Sequence, residues 1–288
     1  MRILLVGCSG NLGTVVYRLL TENQFEVKCA VRVGNSKNAA YVVPFENIEN
    51  LQGFLPEIVI NLSNFYTQDT SIMAVNVMQS SITGVATAIG NANSNWKAKI
   101  INASTYFQYC PKGMQPWSAY AELKKDALAI LENSSTIADT NLTNFVLYDN
   151  YGGNNKSKVF DLLLKAISLK EEFNTTMGEQ ILNLTHIKDI ASAIVSECSM
   201  PKTIEDTLLR NYDLRGEFTI NLRDLASFVS NLLGISPRIN WGAIKYRDKE
   251  VFQLWDSEFK LPTYWLQKEK IEDYIIKEYK LYSKSTII

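Results

Sequence analysis

The chain has 288 residues, enough for one large domain or two smaller ones, and 46% apolar with 20% charged residues is ordinary for a globular protein. Its 29 basic and 30 acidic residues leave a net charge of −1, which provides no field to gather nucleic acid or an anionic membrane. No uninterrupted apolar run reaches the ~18 residues of a membrane span, and four cysteines without a CxxC pair, beside one histidine, make no ordinary zinc site.

Taken in chain order, Met1 to Val6 runs straight into Gly7, too short for a signal peptide, so a cytoplasmic protein is expected. Strand-length apolar runs then alternate with helical segments: Ile3 to Val6 and Leu12 to Leu20, Val27 to Val31, Tyr41 to Val43, Ile58 to Leu62 and Ser71 to Gly90. Lys99 to Ala103, a helix from Ser118 to Leu131, and Phe145 to Tyr148 continue the series. Alternation of this kind predicts an α/β fold, a doubly wound parallel sheet with helices on both faces. From Gly152 the pattern loosens into helices near Phe160 to Leu169, Ile190 to Glu197, Leu222 to Leu233 and Glu269 to Tyr279. The division expected is a nucleotide-binding domain over 1–151 and a smaller cap over 152–288, with some of its segments returning to the sheet.

The first chemical signal is Gly7-Cys8-Ser9-Gly10-Asn11-Leu12-Gly13, directly after the first strand and opening the first helix. Glycines there let the backbone approach a pyrophosphate at the positive end of the helix. After the second strand, where an acidic residue would hold an NAD ribose hydroxyl, the chain has Arg32, whose guanidinium suits a 2′-phosphate. NADP(H) is therefore expected, with NAD(H) as the alternative.

The second signal is Tyr120-Ala121-Glu122-Leu123-Lys124, which puts a phenol and an ammonium on one helix face, where the cation lowers the tyrosine pKa toward working pH. With 14 tyrosines a chance match is expected, and Tyr264 with Lys268 is read as one. Only Tyr120 follows a hydroxyl pair, Ser104-Thr105, at the carboxyl end of a buried strand, where open α/β sheets place their sites.

These motifs, with Asp149-Asn150-Tyr151-Gly152, Leu184 to Asp189, and Trp241-Gly242 through Leu261-Pro262, resemble the extended short-chain dehydrogenase/reductases, the nucleotide-sugar epimerases, dehydratases and ketoreductases. Tyr106-Phe107-Gln108-Tyr109 with Ala119-Tyr120-Ala121 is similar to the O-antigen branch that includes CDP-paratose and CDP-abequose synthases, which reduce a 4-keto dideoxysugar. The resemblance implies a Rossmann-type nucleotide-binding domain, Tyr120 as proton donor or acceptor at the sugar C4 oxygen, Thr105 as the catalytic hydroxyl with Ser104 as its rival, and Lys124 at the nicotinamide ribose. Leu62, Ser63 and Asn76 would border the same cofactor. Ser104, Thr105, Tyr106, Asp149, Asn150 and Arg247 would meet the substrate, although Asp149 stands where an asparagine is usual and a carboxylate repels a pyrophosphate.

Tyr106 and Phe107 occupy the positions where a dehydratase of this family carries an acid and a base, which leaves hydride transfer with proton delivery. The expected activity is NADPH-dependent reduction of a C4 ketone on a nucleotide-linked, CDP-linked by the branch resemblance, deoxysugar for lipopolysaccharide O-antigen. A 4-epimerase with retained NAD is the alternative, and a non-catalytic NAD(P)-binding regulator the second. A homodimer is the family habit. His186 is expected in a structural hydrogen bond, Asp189 as a helix N-cap, and Cys8 and Cys110 as small apolar filler.

Overall fold

The computed structural model describes residues 1–31, 42–44, 47–48, 51, 53–67, 69, 71–110, 115–154, 156–200, 209–247 and 250–285. They form two units. The first contains Met1–Leu147, Ile190–Leu214 and Ser257–Trp265; the second contains Tyr148–Asp189, Arg215–Asp256 and the chain from Leu266.

In the first unit a seven-stranded sheet is built from β1 (Arg2–Val6), β2 (Glu26–Val31), β3 (Val42–Pro44), β4 (Ile58–Asn61), β5 (Lys99–Thr105), β6 (Leu142–Leu147) and, further along the chain, Leu209–Asp213. In spatial order that last strand lies beside β6, followed by β5, β4, β1, β2 and β3, with all neighbours parallel. The order reverses between β1 and β4, the point at which such sheets open a crevice beyond their strand ends.

Helices α1 (Asn11–Glu22), α2 (Ile72–Trp96) and α3 (Ala119–Ala138) supply the crossovers. Helix α2 is long and apolar enough by composition to cross a membrane, but here Met78, Ile82, Val85, Ala86 and Ile89 turn one stripe onto the core shared with Leu4, Val59, Ile100 and Leu142. Helix α3 joins that core through Ala127, Leu128 and Leu131. The two helices come close at Gly90, whose carbonyl accepts from the Ser134 hydroxyl at 3.1 Å.

The second unit holds β7 (Asp149–Tyr151), α4 (Val159–Leu169), β8 (Glu172–Thr175), β9 (Ile181–His186), β11 (Phe218–Asn221), α6 (Leu222–Leu233), β12 (Arg238–Trp241) and α7 (Ile271–Ser285), with α5 (Ile187–Cys198) starting in it; the first unit's strand Leu209–Asp213 is β10. β9 sits between antiparallel β11 and parallel β7, while β8 and β12 pair separately. Phe160, Leu163, Leu164 and Ile167 of α4 bury against Leu222, Leu225 and Val229 of α6 and Ile271 and Ile275 of α7.

Candidate active site

The glycine loop between β1 and α1 is closed on itself. Gly10 N–H donates to the Gly7 carbonyl at 3.1 Å, and Gly7 N–H to the Ala30 carbonyl of β2 at 2.9 Å. Gly7 has φ +86°, and a Cβ there would lie 2.9 Å from the Leu62 carbonyl oxygen; one on Gly13 would lie 2.1 Å from the Gly7 oxygen. Gly10 caps α1 without a side-chain acceptor, so the first-turn N–H groups receive nothing from the cap. A glycine cap at a helix N-terminus is a cradle for a pyrophosphate, with Ser9 exposed and Asn11 and Leu12 half-buried beside it. Cys8 and Cys29 are buried behind the loop, and their mutual hydrogen bond pulls the Cys8 thiol down and pushes the Cys29 thiol up.

Lys124 stands at the junction of β4 and β5. Its ammonium donates to the Ala103 carbonyl at 2.5 Å and to the Ser63 carbonyl at 3.3 Å, and burial brings its pKa down to about 8. The Ser63 hydroxyl is buried without a hydrogen-bond partner among the described residues. A buried orphan hydroxyl beside a lysine, together with a glycine cradle that no Cβ can share, fits a dinucleotide.

Tyr120, one helical turn before Lys124, is half-buried against the α2–α3 core and meets Tyr66 edge-on at 5.5 Å. The expected lowering of its pKa is not what the structure has: burial, aided by Tyr66, raises the phenol above its ordinary value. The Lys124 charge is spent on two carbonyls, and desolvation dominates.

Of the hydroxyl pair ending β5, Ser104 donates to the Phe145 carbonyl of β6 at 3.2 Å, whereas Thr105 Oγ1 accepts from Phe107 N–H at 3.4 Å and caps a 3₁₀ turn over Tyr106–Gln108. Tyr106 is 2% exposed, stacked on Phe107 at 4.3 Å and edge-on to Trp117 at 5.5 Å. Leu62 is buried, and Asn76 lies exposed on α2. Arg32 lies outside the described residues.

In the second unit, Asp149 accepts from Asn183 N–H at 3.1 Å, so its carboxylate is engaged by the β9 backbone. Asn150 is half-buried in β7, and Arg247 is exposed. His186 Nδ1 accepts from Lys188 N–H at 3.2 Å, and burial lowers its pKa to about 4, which keeps the ring neutral. Asp189 is not an N-cap. α5 starts two residues earlier, and the carboxylate instead accepts from Lys268 N–H at 3.0 Å and Glu269 N–H at 3.2 Å, ahead of α7.

Two groups escaped the sequence reading. Asn61, Asn102, Asn144 and Asn211 fall in register across β4, β5, β6 and β10, each amide bonded to the next. Tyr264, read as half of a chance motif, donates to Glu197 at 2.5 Å, and Glu197 also pairs with Lys99 at 2.5 Å and Arg210 at 2.9 Å. Partners so distant in sequence leave no local signal; only strand register or a long-range fold would have shown them.

Residues 3–207 match the NAD dependent epimerase/dehydratase family. The whole chain is similar to the CDP-abequose synthase of Yersinia pseudotuberculosis, 24% identical over 290 residues that cover 97% of this chain and 100% of the relative. Its fold is similar to the UDP-glucuronic acid 4-epimerase of Bacillus cereus, solved with UDP-glucuronic acid and NAD (TM-score 0.81, 17% identity, 99% of both chains). It is likewise similar to the UDP-glucose 4-epimerase of Thermotoga maritima (TM-score 0.79, 16% identity, 100% of both chains).

Proposed function

Because this chain belongs to the NAD dependent epimerase/dehydratase family, we propose that it is a nucleotide-sugar 4-ketoreductase, taking NADPH and a CDP-linked 4-keto-deoxysugar. The observation that carries the reading is the Tyr120 and Lys124 pair on α3, anchored through Lys124 to the β4 and β5 ends one and two residues from Ser104 and Thr105. The full-length similarity to a CDP-abequose synthase supports the sugar class, as does the lack of an acid and base at Tyr106 and Phe107, both held in an aromatic stack. Arg32 supports NADPH over NADH by its chemistry.

The bound dinucleotide supplies hydride to the C4 carbonyl carbon. Tyr120 delivers the proton that the developing C4 alkoxide needs, and burial holds the phenol in its protonated form until then. Thr105 donates a hydrogen bond to the same oxygen, and Lys124 orients the ribose from its place on the Ser63 and Ala103 carbonyls. Asp149, occupied by β9, is a support for the substrate segment, and Asn150 and Arg247 are the polar groups offered to the nucleotide. The enzyme is cytoplasmic and works as a homodimer by family habit.

The test is consumption of NADPH by the purified protein with a CDP-linked 4-keto-6-deoxysugar. Redox-neutral interconversion of a UDP-hexose, with NAD released on denaturation, would instead establish the epimerase. Cofactor binding with neither activity would leave a regulator.

A further inference from the structure

The interior of a parallel sheet covered by helices is normally filled with branched aliphatic residues, and a buried amide is destabilising unless its hydrogen bonds are met. Yet four asparagines stand in one row on the sheet. Asn61 Nδ2 donates to Asn102 Oδ1 at 2.9 Å, Asn102 Nδ2 to Asn144 Oδ1 at 2.9 Å, and Asn144 Nδ2 to Asn211 Oδ1 at 2.8 Å. The first three are 0–2% exposed. By strand alternation Asn61, Asn102 and Asn144 share the sheet face of Val59, Ile100 and Leu142, the face that α2 and α3 cover.

The row has a direction. Asn61 Oδ1 accepts from Ser63 N–H at 3.2 Å, and because a backbone N–H can only donate, the orientation of every amide after it is determined. Each Nδ2 points toward β10, so the bonds polarise one another in one sense. The row touches the candidate site at its first member and the segment after Thr105 at its third. At the first, the Ser63 peptide is gripped twice, its N–H by Asn61 and its carbonyl by Lys124, while the hydroxyl between them stays buried with no partner among the described residues. At the third, Asn144 Nδ2 also donates at 3.1 Å to the hydroxyl of Tyr109, which ends the segment that begins at Thr105.

We propose that the asparagine row is a positioning device for the reaction: through Asn61 it fixes the Ser63 peptide, which presents its hydroxyl to the dinucleotide and seats Lys124, while Asn102 and Asn144 hold Asn61 in the one orientation that does so. The proposal rests on the reading that Ser63 and Lys124 face the cofactor. A row serving stability alone has no reason to end on a residue whose two backbone groups are held and whose hydroxyl is left open.

The experiment measures NADPH dissociation constants, melting temperatures and the exchange rate of the Ser63 amide hydrogen. Ser63→Ala and Asn61→Ala should each weaken NADPH by about 10-fold, the loss of one buried hydrogen bond. The double variant should be no weaker than the poorer single one, because both act through one contact. Asn102→Leu should also weaken NADPH and speed Ser63 amide exchange by more than about 10-fold. Should it fail to fold, Asn211→Ala at the edge strand replaces it, with the same sign of effect. Tyr264→Phe is the control for stability, lowering the melting temperature with NADPH affinity unchanged. Additive losses in the double variant, or Asn61→Ala lowering only the melting temperature, overturn the proposal. Unchanged affinity in Ser63→Ala overturns the reading beneath it as well.

Discussion

Burial acts on Tyr120 and Lys124, one helical turn apart, in opposite senses: it raises the phenol and brings the ammonium down to about 8. Both shifts favour the uncharged form, so at neutral pH the pair is a protonated phenol beside an ammonium that stays charged up to about pH 8, rather than a phenolate beside a cation. For a ketoreductase that is the useful state, since the proton must be on the tyrosine before hydride arrives.

Tyr120→Phe keeps the ring against Tyr66 and removes the proton. The kcat for NADPH-dependent sugar reduction should fall by about 100-fold or more with the NADPH dissociation constant nearly unchanged. Near-normal kcat in this variant would dispose of the assignment.

The hydroxyl pair separates by its partners. Ser104 is committed to the Phe145 carbonyl, so Ser104→Ala should lower the melting temperature with modest change in kcat, whereas Thr105→Val should cost about 10- to 1,000-fold in kcat. The reverse ranking in steady-state kinetics would move the catalytic hydroxyl back by one residue.

Lys124 makes a stability prediction with a definite sign. From pH 8 to 10.5 the unfolded chain carries the lysine proton and the folded chain does not, so this residue's contribution rises with pH, and the burden of burying its charge is felt below about 8. Urea unfolding should therefore find Lys124→Met more stable than wild type at pH 7 by about 1–3 kcal/mol, an advantage that fades by pH 10.5. An advantage that grows with pH would contradict the assignment. NADPH affinity should drop in the same variant.

Gly13→Ala places a Cβ where the Gly7 carbonyl oxygen already is. The loop must open to accommodate it, and isothermal titration should show NADPH affinity reduced by about 100-fold or more. Unchanged affinity would remove the glycine loop from the cofactor site.

Much of the first unit was legible because each of its elements has local cause. Val15, Val16 and Leu20 mark the buried stripe of α1, Met78 to Ile89 that of α2, and the glycine loop announces itself between a strand and a helix. The strands of the second unit were harder. β7 is Asp-Asn-Tyr, β8 Glu-Phe-Asn-Thr and β12 Arg-Ile-Asn-Trp; short and polar, they are strands because of what they pair with. For Tyr120 the sequence located the side chain but misjudged its acidity, because desolvation depends on neighbours such as Tyr66 that spacing on one helix does not reveal. Tyr264 is set aside because no hydroxyl-ended strand precedes it, and its bond to Glu197, 67 residues away, has no local signal.

The Lys99 to Glu197 bridge has a consequence for how the polypeptide is made. Lys99 is 3% exposed and Glu197 is 0% exposed, and a buried cation without its counterion is strongly destabilising. At ribosomal rates of about 5–20 residues per second, a lysine whose partner lies 98 residues downstream waits on the order of 5–20 s before it can be neutralised. β10, which completes the edge beyond β6, is translated later still. A nascent chain ending near residue 150 therefore exposes an unfinished sheet edge with an uncompensated charge at the start of β5, and should be the species that holdase chaperones and proteases engage during synthesis.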